Sequence, residues 1–148
     1  MHRAPRVPDG GDRAAAALAA AALVRDVPAL DQAATFDEII SLIEHSHDNT
    51  YAVVDDQHTV VGMIHYADIS QVLLDRTVSK LVRAADLATE AKPILHSDDP
   101  ASRAMAMFRG TKQDCLPVVD SQSPHPLLGV VRRRDIVGYL THREKNQA

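Results

Sequence analysis

The chain has 148 residues, of which 45% are hydrophobic and 3% aromatic, and its formal net charge is −4 at pH 7. This length and apolar fraction predict one compact domain or two small repeats, and exclude disorder over most of the chain. The negative charge, the absence of Trp and the scarcity of other aromatic residues argue against general nucleic-acid binding. A single cysteine, Cys115, excludes an internal disulfide and fits a cytoplasmic, reducing compartment.

Two N-terminal segments come first. Residues 1–11 contain two prolines and two glycines without any period, which predicts a disordered leader. The apolar run over residues 14–24 is far shorter than the about 20 residues that span a bilayer. Its alanines predict a linker helix, with Asp12 as its N-cap. A secretory signal is the alternative, which the acidic Asp9 and Asp12 disfavour.

An internal repeat follows these segments. The repeat is clearest in two similar hexapeptides, Thr-Tyr-Ala-Val-Val-Asp at residues 50–55 and Cys-Leu-Pro-Val-Val-Asp at residues 115–120. The second begins 65 residues after the first. Before each of these strands, apolar residues at helical spacing predict an amphipathic helix: Phe36, Ile39, Ile40 and Ile43, then Ala101, Ala104, Met105 and Phe108. Thr35 with Glu38 predicts a capping box for the first helix, and Asp99 with Pro100 predicts an N-cap and first residue for the second.

A second shared pattern lies after each strand. Gly62 precedes Asp68 by six residues, as Gly129 precedes Asp135, and an Ile follows each Asp. Helical stripes come next: Ile69, Val72 and Leu73, then Ile136, Tyr139 and Leu140. Each half therefore predicts helix, strand, turn, strand, helix, with short polar turns at residues 55–59 and 120–126 joining antiparallel strands. Between the halves, the spacing of Val78, Leu81 and Val82 predicts a short helix, and residues 93–95 resemble the extended lead-in over residues 27–30.

The repeated strand and the repeated Gly-to-Asp-Ile join resemble a tandem pair of cystathionine-β-synthase (CBS) domains, or Bateman module, over about residues 24–143. This resemblance implies an α/β (α+β) fold of two pseudo-symmetric repeats, each with a small sheet packed against two helices. The predicted division is a leader and linker helix at residues 1–23, repeats at residues 24–85 and 86–143, and a tail at residues 144–148.

A narrower resemblance rests on Leu-Val-Arg-Ala-Ala-Asp-Leu-Ala-Thr at residues 81–89, together with residues 62–64 and 116–120. These segments are similar to the cytoplasmic tails of ClC-type chloride channels and transporters. The similarity implies a module at the cytosolic face of the membrane that belongs to, or partners, such a transporter. A free-standing CBS protein is the alternative, and the sequence leaves both open.

The CBS resemblance also implies two clefts between the repeats for an adenosine-type regulatory ligand such as AMP, ADP, ATP or S-adenosylmethionine. No cofactor is required. Asp68 and Asp135 occupy the position of the family's ribose-binding aspartate, where a carboxylate accepts charge-assisted hydrogen bonds from both ribose hydroxyls. The alternative is that each aspartate only caps the helix that it opens.

This chain departs from the family three residues before each aspartate. Ser or Thr is usual there, whereas this chain has His65 and Arg132. Such a side chain either fills the cleft or, as a cation, contacts a phosphate. For Arg132 and Arg133 the alternative is a solvated basic edge paired with carboxylates. The family's adenine-binding positions map onto Val27, Asn49 and Thr50 for the cleft of Asp135, and onto Lys92, Asp114 and Cys115 for the cleft of Asp68.

Other chemistry is disfavoured. His45, His47, Asp48 and His58 resemble metal ligands, but the two histidines at i and i+2 point in different directions. Cys115 opens a buried strand with no histidine placed beside it, which favours a packed thiol over a nucleophile. We therefore expect no catalysis. Amphipathic helices at residues 35–44, 68–74, 101–109 and 135–140 predict a homodimer. The rival to a regulatory ligand-binding pair is a ligand-free structural or dimerisation module.

Overall fold

Two similar sets of helices and strands follow each other along the chain. The computed structural model describes residues 10–46, 48–72 and 74–146. In chain order, the elements of that part are α1 (Gly10–Ala15), β1 (Leu30–Asp31), α2 (Phe36–Glu44), β2 (Thr50–Val54), β3 (Val60–His65), α3 (Tyr66–Val72), α4 (Arg76–Ser79), α5 (Ala84–Leu87), β4 (Leu95–His96), α6 (Ala101–Arg109), β5 (Cys115–Val119), β6 (Leu127–Arg132) and α7 (Arg133–Asn146). Each half contains the predicted order of helix, strand, turn, strand and helix.

The two sheets share strand order and register. β2 is central, parallel to β1 and antiparallel to β3, and β5 has the same relation to β4 and β6. Thr50 lies opposite His65, and Cys115 lies opposite Arg132 at the corresponding end of the second sheet. The connections span residues 55–59 and 120–126, as predicted. The predicted α/β fold of two pseudo-symmetric repeats is confirmed.

Each sheet is covered by the two long helices of its own repeat. Ile39 of α2 and Ile69 of α3 are fully buried in the core of the first repeat. Phe108 of α6 and Ile136 of α7 are fully buried in the core of the second. A third cluster joins the repeats and consists of Ala52, Val54, Met63, Ala91 and Leu127. Within the described ranges, no helix is long and apolar enough to cross a bilayer.

The segment that leads into the first repeat pairs with the second. The main-chain N–H of Arg25 donates to the carbonyl oxygen of Val130 at 2.7 Å, and the N–H of Val130 donates back at 2.9 Å. Thr89, in the segment that leads into the second repeat, makes the same two bonds with Met63 of the first repeat, at 2.8 and 2.7 Å. The outer strands β3 and β6 thus receive main-chain partners on their open edges, which satisfies their polar groups.

The alanine-rich segment is not the predicted helix. α1 ends at Ala15, and residues 16–22 form turns and a bridge. The reason is tertiary: the N–H of Leu18 donates to the carbonyl oxygen of Asp99 at 2.9 Å, and Leu18 is fully buried in the second repeat's core. These contacts outweigh the helix propensity of alanine. Of the predicted disordered leader, residues 1–9 lie outside the described residues, whereas Gly10 and Gly11 begin α1, in which Asp12 is an internal residue rather than the cap.

The helix starts confirm one predicted cap and correct three. Thr35 caps α2, because its Oγ1 accepts the N–H of Glu38 at 3.2 Å. The N-cap of α6 is Pro100, one residue after the predicted Asp99, whose carboxylate instead accepts the N–H of His96 at 2.8 Å.

Asp68 and Asp135 are not N-caps: they are the third residues of α3 and α7. Both helices begin directly after a strand. The first N–H of α3, that of Tyr66, donates to the carbonyl oxygen of Asn49, and the first N–H of α7, that of Arg133, donates to that of Asp114.

The linker contains two short helices instead of one. Asp75 caps α4 by accepting the N–H groups of Thr77 and Val78. Leu81 is 76% exposed and lies with Val82 between α4 and α5, so the predicted apolar stripe has no common buried face. Of the predicted stripe after Asp68, Leu73 lies outside the described residues. α7 continues to Asn146, into the predicted tail, and residues 147–148 lie outside the described part.

The Arg25–Val130 pairing predicts a strict requirement for glycine at position 129. A Cβ at Gly129 would overlap the carbonyl oxygen of Arg25 and approach Val24 Cγ1 to 3.2 Å. We expect Gly129→Ala to lower the free energy of unfolding by about 1–3 kcal/mol, because the lead-in segment must move. Urea denaturation measures this. Gly138→Ala is the control: a Cβ there meets nothing within 4 Å, and we expect a gain of about 1 kcal/mol. A Gly129→Ala variant as stable as the wild type would contradict the pairing.

Candidate functional site

The ends of strands from both repeats surround two clefts at the seam. The first, called the arginine cleft, has a volume of about 590 Å³. It is lined by Asp48, Asn49, Thr50, Asp114, Cys115, Arg132, Arg133, Arg134, Val137, Gly138 and Thr141. The second, called the histidine cleft, has a volume of about 500 Å³ and is lined by Asn49, Thr50, His65, Tyr66, Ala67, Thr111, Lys112, Gln113 and Asp114. Both volumes lie within the range of about 300–1,000 Å³ that is usual for small-molecule sites.

The two clefts are related by the internal repeat. Both lie where β2 and β5 begin, and they share Asn49, Thr50 and Asp114. The arginine cleft takes Arg132, Arg133 and Arg134 from the join between β6 and α7, and the histidine cleft takes His65, Tyr66 and Ala67 from the equivalent join between β3 and α3. The same main chain therefore presents different chemistry on each side of the seam.

The three consecutive arginines have different surroundings. Arg132 Nη2 donates to Asp48 Oδ1 at 2.9 Å, an ion pair between the repeats with side chains 21% and 27% exposed. Arg133 Nη2 donates to the carbonyl oxygens of Thr111 and Gln113 at 2.7 and 2.8 Å. The exposed Arg134 forms no ion pair within the described ranges. The carboxylate-paired interpretation thus describes Arg132 and, at the longer distance of 3.9 Å from Arg133 Nε to Asp114 Oδ1, Arg133 as well, while Arg134 is the cation of the cleft most available to a ligand.

Asp135 is held by an arginine from outside the cleft lining. Arg25 Nε donates to Asp135 Oδ2 at 2.6 Å, and Arg25 Nη2 donates to Oδ1 at 3.2 Å. The hydrogen bond from Arg25 lowers the pKa of Asp135 below its usual value, and the charges of Arg132 and Arg134 lower it further. Asp135 is therefore held as a carboxylate. It is not among the residues that line either cleft, but it follows Arg134 in α7 and interacts with the charges of the cleft-lining Arg132 and Arg134. Sequence reasoning missed Arg25 and considered Asp48 only as a metal ligand, because only the tertiary fold brings Arg25 to Asp135 and Asp48 to Arg132.

Asp68, the residue of the first repeat that is equivalent to Asp135, has different surroundings. Asp68 is exposed and makes no ion pair in the part of the chain that the structure describes. The residue equivalent to Arg25 is Thr89, whose hydroxyl donates to the carbonyl oxygen of Met63 at 3.2 Å. His65 Nδ1 lies 3.3 Å from Thr50 Oγ1 across the strand pair. Asp68 thus lacks the arginine that holds Asp135.

The remaining predicted site residues are only partly grouped as expected. Asn49 and Thr50 line both clefts, and Asp114 does too. Cys115 lines the arginine cleft instead of the cleft predicted with Asp68. Lys92 lines a separate cleft of about 480 Å³, and its ammonium lies 3.0 Å from Glu90 Oε1 at an exposed site. Val27 is half-buried and lines neither seam cleft. None of the described residues that line the seam clefts comes from the lead-in segments; Arg25 instead contacts Asp135.

The metal interpretation has no support in the described part of the chain. Within it, no group of three or more His, Cys, Asp or Glu side chains is arranged to hold an ion. His47, one of the four residues considered, lies outside the described residues. His45 Nδ1 lies 2.7 Å from the carbonyl oxygen of Ser41, which places this ring at the end of α2.

A comparison with known protein families gives one match for each repeat. The profile of the CBS domain matches residues 19–75 and 84–142. No curated protein matches the chain. The CBS domain of the bacterial CNNM/CorC family Mg²⁺ transporter in complex with ATP superposes with a TM-score of 0.73 at 14% identity, covering 87% of this chain and 89% of that one.

A plant protein gives a similar result. The CBS-pair protein CBSX2 from Arabidopsis thaliana superposes with a TM-score of 0.71 at 21% identity, covering 85% of this chain and 96% of that one. CBSX2 in complex with AMP gives 0.66 at 21% identity, with coverages of 86% and 95%. At these identities the likeness establishes the fold.

The surroundings of Cys115 predict low thiol reactivity. Burial, and then the charge of Asp48, raise the pKa of Cys115 to about 11. The reactive thiolate is lost as pH falls below the pKa, so at pH 8 its fraction is on the order of a hundredfold below that of a free cysteine with a pKa of about 8.5. We expect alkylation by iodoacetamide at pH 8 to be slower by that factor in the native protein than in urea. Equal rates in both would contradict the described environment of the only cysteine.

Proposed function

Because the chain belongs to the CBS domain family, we propose that it is a non-catalytic regulatory pair that binds an adenine nucleotide, AMP, ADP or ATP, in the arginine cleft. The observation that carries the proposal is a cleft lined by three arginines, two of which, Arg132 and Arg134, act by their charge on the ionised Asp135 beside them. A carboxylate suits the two ribose hydroxyls, because it only accepts hydrogen bonds and a vicinal diol offers two donors.

The charge of the cleft supports a phosphorylated ligand. Arg132, Arg133 and Arg134 outnumber the two lining carboxylates, Asp48 and Asp114, so the lining carries one excess positive charge. Arg134 is exposed there. The phosphates of a nucleotide gain from this charge, whereas the sulfonium of S-adenosylmethionine is repelled by it. We therefore favour AMP, ADP and ATP over S-adenosylmethionine.

Regulation would follow from the position of the cleft between the repeats. Its lining combines residues 48–50 of the first repeat with Arg132, Arg134 and Thr141 of the second. A ligand that contacts both sides stabilises one relative arrangement of the repeats and shifts the equilibrium by its differential affinity. Coupling energies in such systems are typically about 1–3 kcal/mol. The affected protein would be one attached to this module or bound to it.

The partner class that we propose is an ion transporter of the ClC type, with the module at the cytosolic face of the membrane. The support is the similarity of residues 81–89 to chloride-transporter tails. Leu81, the first residue of that segment, is 76% exposed, and Leu74, seven residues before it, is 89% exposed. Exposed residues of this kind suit a protein contact.

We also propose a homodimer through α2, α3, α6 and α7. Each of these helices has half-buried apolar residues at the rim of its core, among them Ile40, Ile43, Val72, Met105 and Leu140. A second copy would cover them by an isologous contact. Sedimentation equilibrium should give about twice the chain mass of 16.1 kDa at micromolar concentration. A single species at the chain mass would contradict this proposal.

The nucleotide proposal predicts different roles for the two equivalent aspartates. We expect titration calorimetry to detect binding of AMP, ADP or ATP, and Asp135→Asn to weaken it about tenfold or more, because a charge-assisted hydrogen bond contributes about 1.5–3 kcal/mol. Asp68→Asn is the matched control at the equivalent position and should change the affinity by less than about twofold.

Two results would contradict the proposal. If none of the three nucleotides gives heat at millimolar concentration, the module is ligand-free and structural. If Asp68→Asn abolishes binding while Asp135→Asn does not, the nucleotide occupies the histidine cleft. Far-UV circular dichroism of both variants shows whether the fold is retained.

A further inference from the structure

The fork between Arg25 and Asp135 occupies both oxygens of one carboxylate. Arg25 Nε and Nη2 contact Oδ2 and Oδ1 at 2.6 and 3.2 Å. The side chain of Arg25 is 51% exposed and that of Asp135 is 20% exposed. A group that approaches Asp135 from the cleft therefore has to share or replace the guanidinium.

Only the side chain of Arg25 is free to move away. Its main chain is bonded in both directions to Val130 of β6. The preceding residues are also fixed, because Leu23 is buried in the core of the second repeat and Val24 packs against that core. A displaced guanidinium consequently stays tethered near Asp135 and β6, within the reach of its own side chain.

We propose that Arg25 is a specificity-determining residue that makes the arginine cleft select phosphorylated nucleotides over unphosphorylated adenosine. This inference rests on the proposed function, since it concerns the same carboxylate. When ribose hydroxyls bind Asp135, they displace the guanidinium of Arg25, and the displaced guanidinium pairs with a phosphate of the ligand. Adenosine offers no anion, so its binding costs the ion pair without replacement.

The internal repeat supplies a comparison within the same molecule. Thr89, the equivalent of Arg25, carries no charge and is bonded to the carbonyl oxygen of Met63. Asp68, the equivalent of Asp135, has no ion pair within the described ranges. The selection against adenosine is therefore a property of the arginine cleft alone.

The test compares adenosine and AMP by titration calorimetry with the wild type and with Arg25→Met. Methionine retains much of the length of the side chain and removes its charge. The wild type should bind AMP at least about tenfold more tightly than adenosine. In Arg25→Met, adenosine should bind about tenfold more tightly than it does to the wild type, and the preference for AMP should fall by at least that factor. Arg25→Lys, which keeps the charge but loses the fork, should lie between them.

An exposed arginine outside both seam clefts provides a matched control. Arg103→Met removes an arginine of similar exposure, 56%, whose Nε lies 3.7 Å from Asp99 and which lines neither seam cleft. It should leave the ratio of AMP to adenosine affinity unchanged. Thermal unfolding of each variant confirms that it is folded under the titration conditions.

The outcomes separate this inference from the proposed function. If wild type and Arg25→Met both bind AMP with an unchanged ratio to adenosine, Arg25 does not determine specificity, and the proposed function stands. If Arg25→Met binds adenosine more weakly than the wild type does, the competition for Asp135 is wrong. If neither protein binds AMP, ADP or ATP, the proposed function fails and this inference fails with it.

Discussion

Main-chain pairing between each lead-in segment and the outer strand of a sheet is the constraint on which the site depends. Arg25 pairs with Val130, and Thr89 pairs with Met63, through two hydrogen bonds each. The first pair draws the alanine-rich segment onto the second repeat, where Leu18 becomes part of the core. It also fixes the main chain from which the guanidinium of Arg25 reaches Asp135. Without it, the edge of β6 would lack this main-chain partner and Arg25 would not be held beside Asp135.

The internal repeat duplicates the scaffold but not the chemistry. Strand order, register and the start of the last helix agree between the halves. Yet Arg132 stands where the first repeat has His65, and Arg25 stands where the segment before the second repeat has Thr89. Because the main chain is shared, the difference between the clefts lies in their side chains, and Arg132, Arg133 and Arg134 give one of them an excess positive charge. A duplicated fold can in this way support two sites of different charge, or one site and a structural counterpart.

Much of the fold was predictable because its signals are local. Periodic apolar residues predicted α2 and α6, and polar turns marked both strand pairs. The failures have a common physical origin in long-range contacts. Residues 16–22 are not helical because they pair with residues of the second repeat. Of the site, Arg132, Arg133 and Asp135 were predicted from the repeat and the CBS resemblance, whereas Arg134 was not predicted. Arg25 was missed and Asp48 was considered only as a metal ligand, because nothing near them in sequence indicates their distant partners.

The most direct measurement is a crystal structure of the protein with ATP. The account predicts a ribose hydroxyl within hydrogen-bond distance of Asp135, the guanidinium of Arg25 turned to a phosphate, and the main-chain pair between Arg25 and Val130 retained. ATP bound while the Arg25–Asp135 fork is intact, or held only in the histidine cleft, would contradict it.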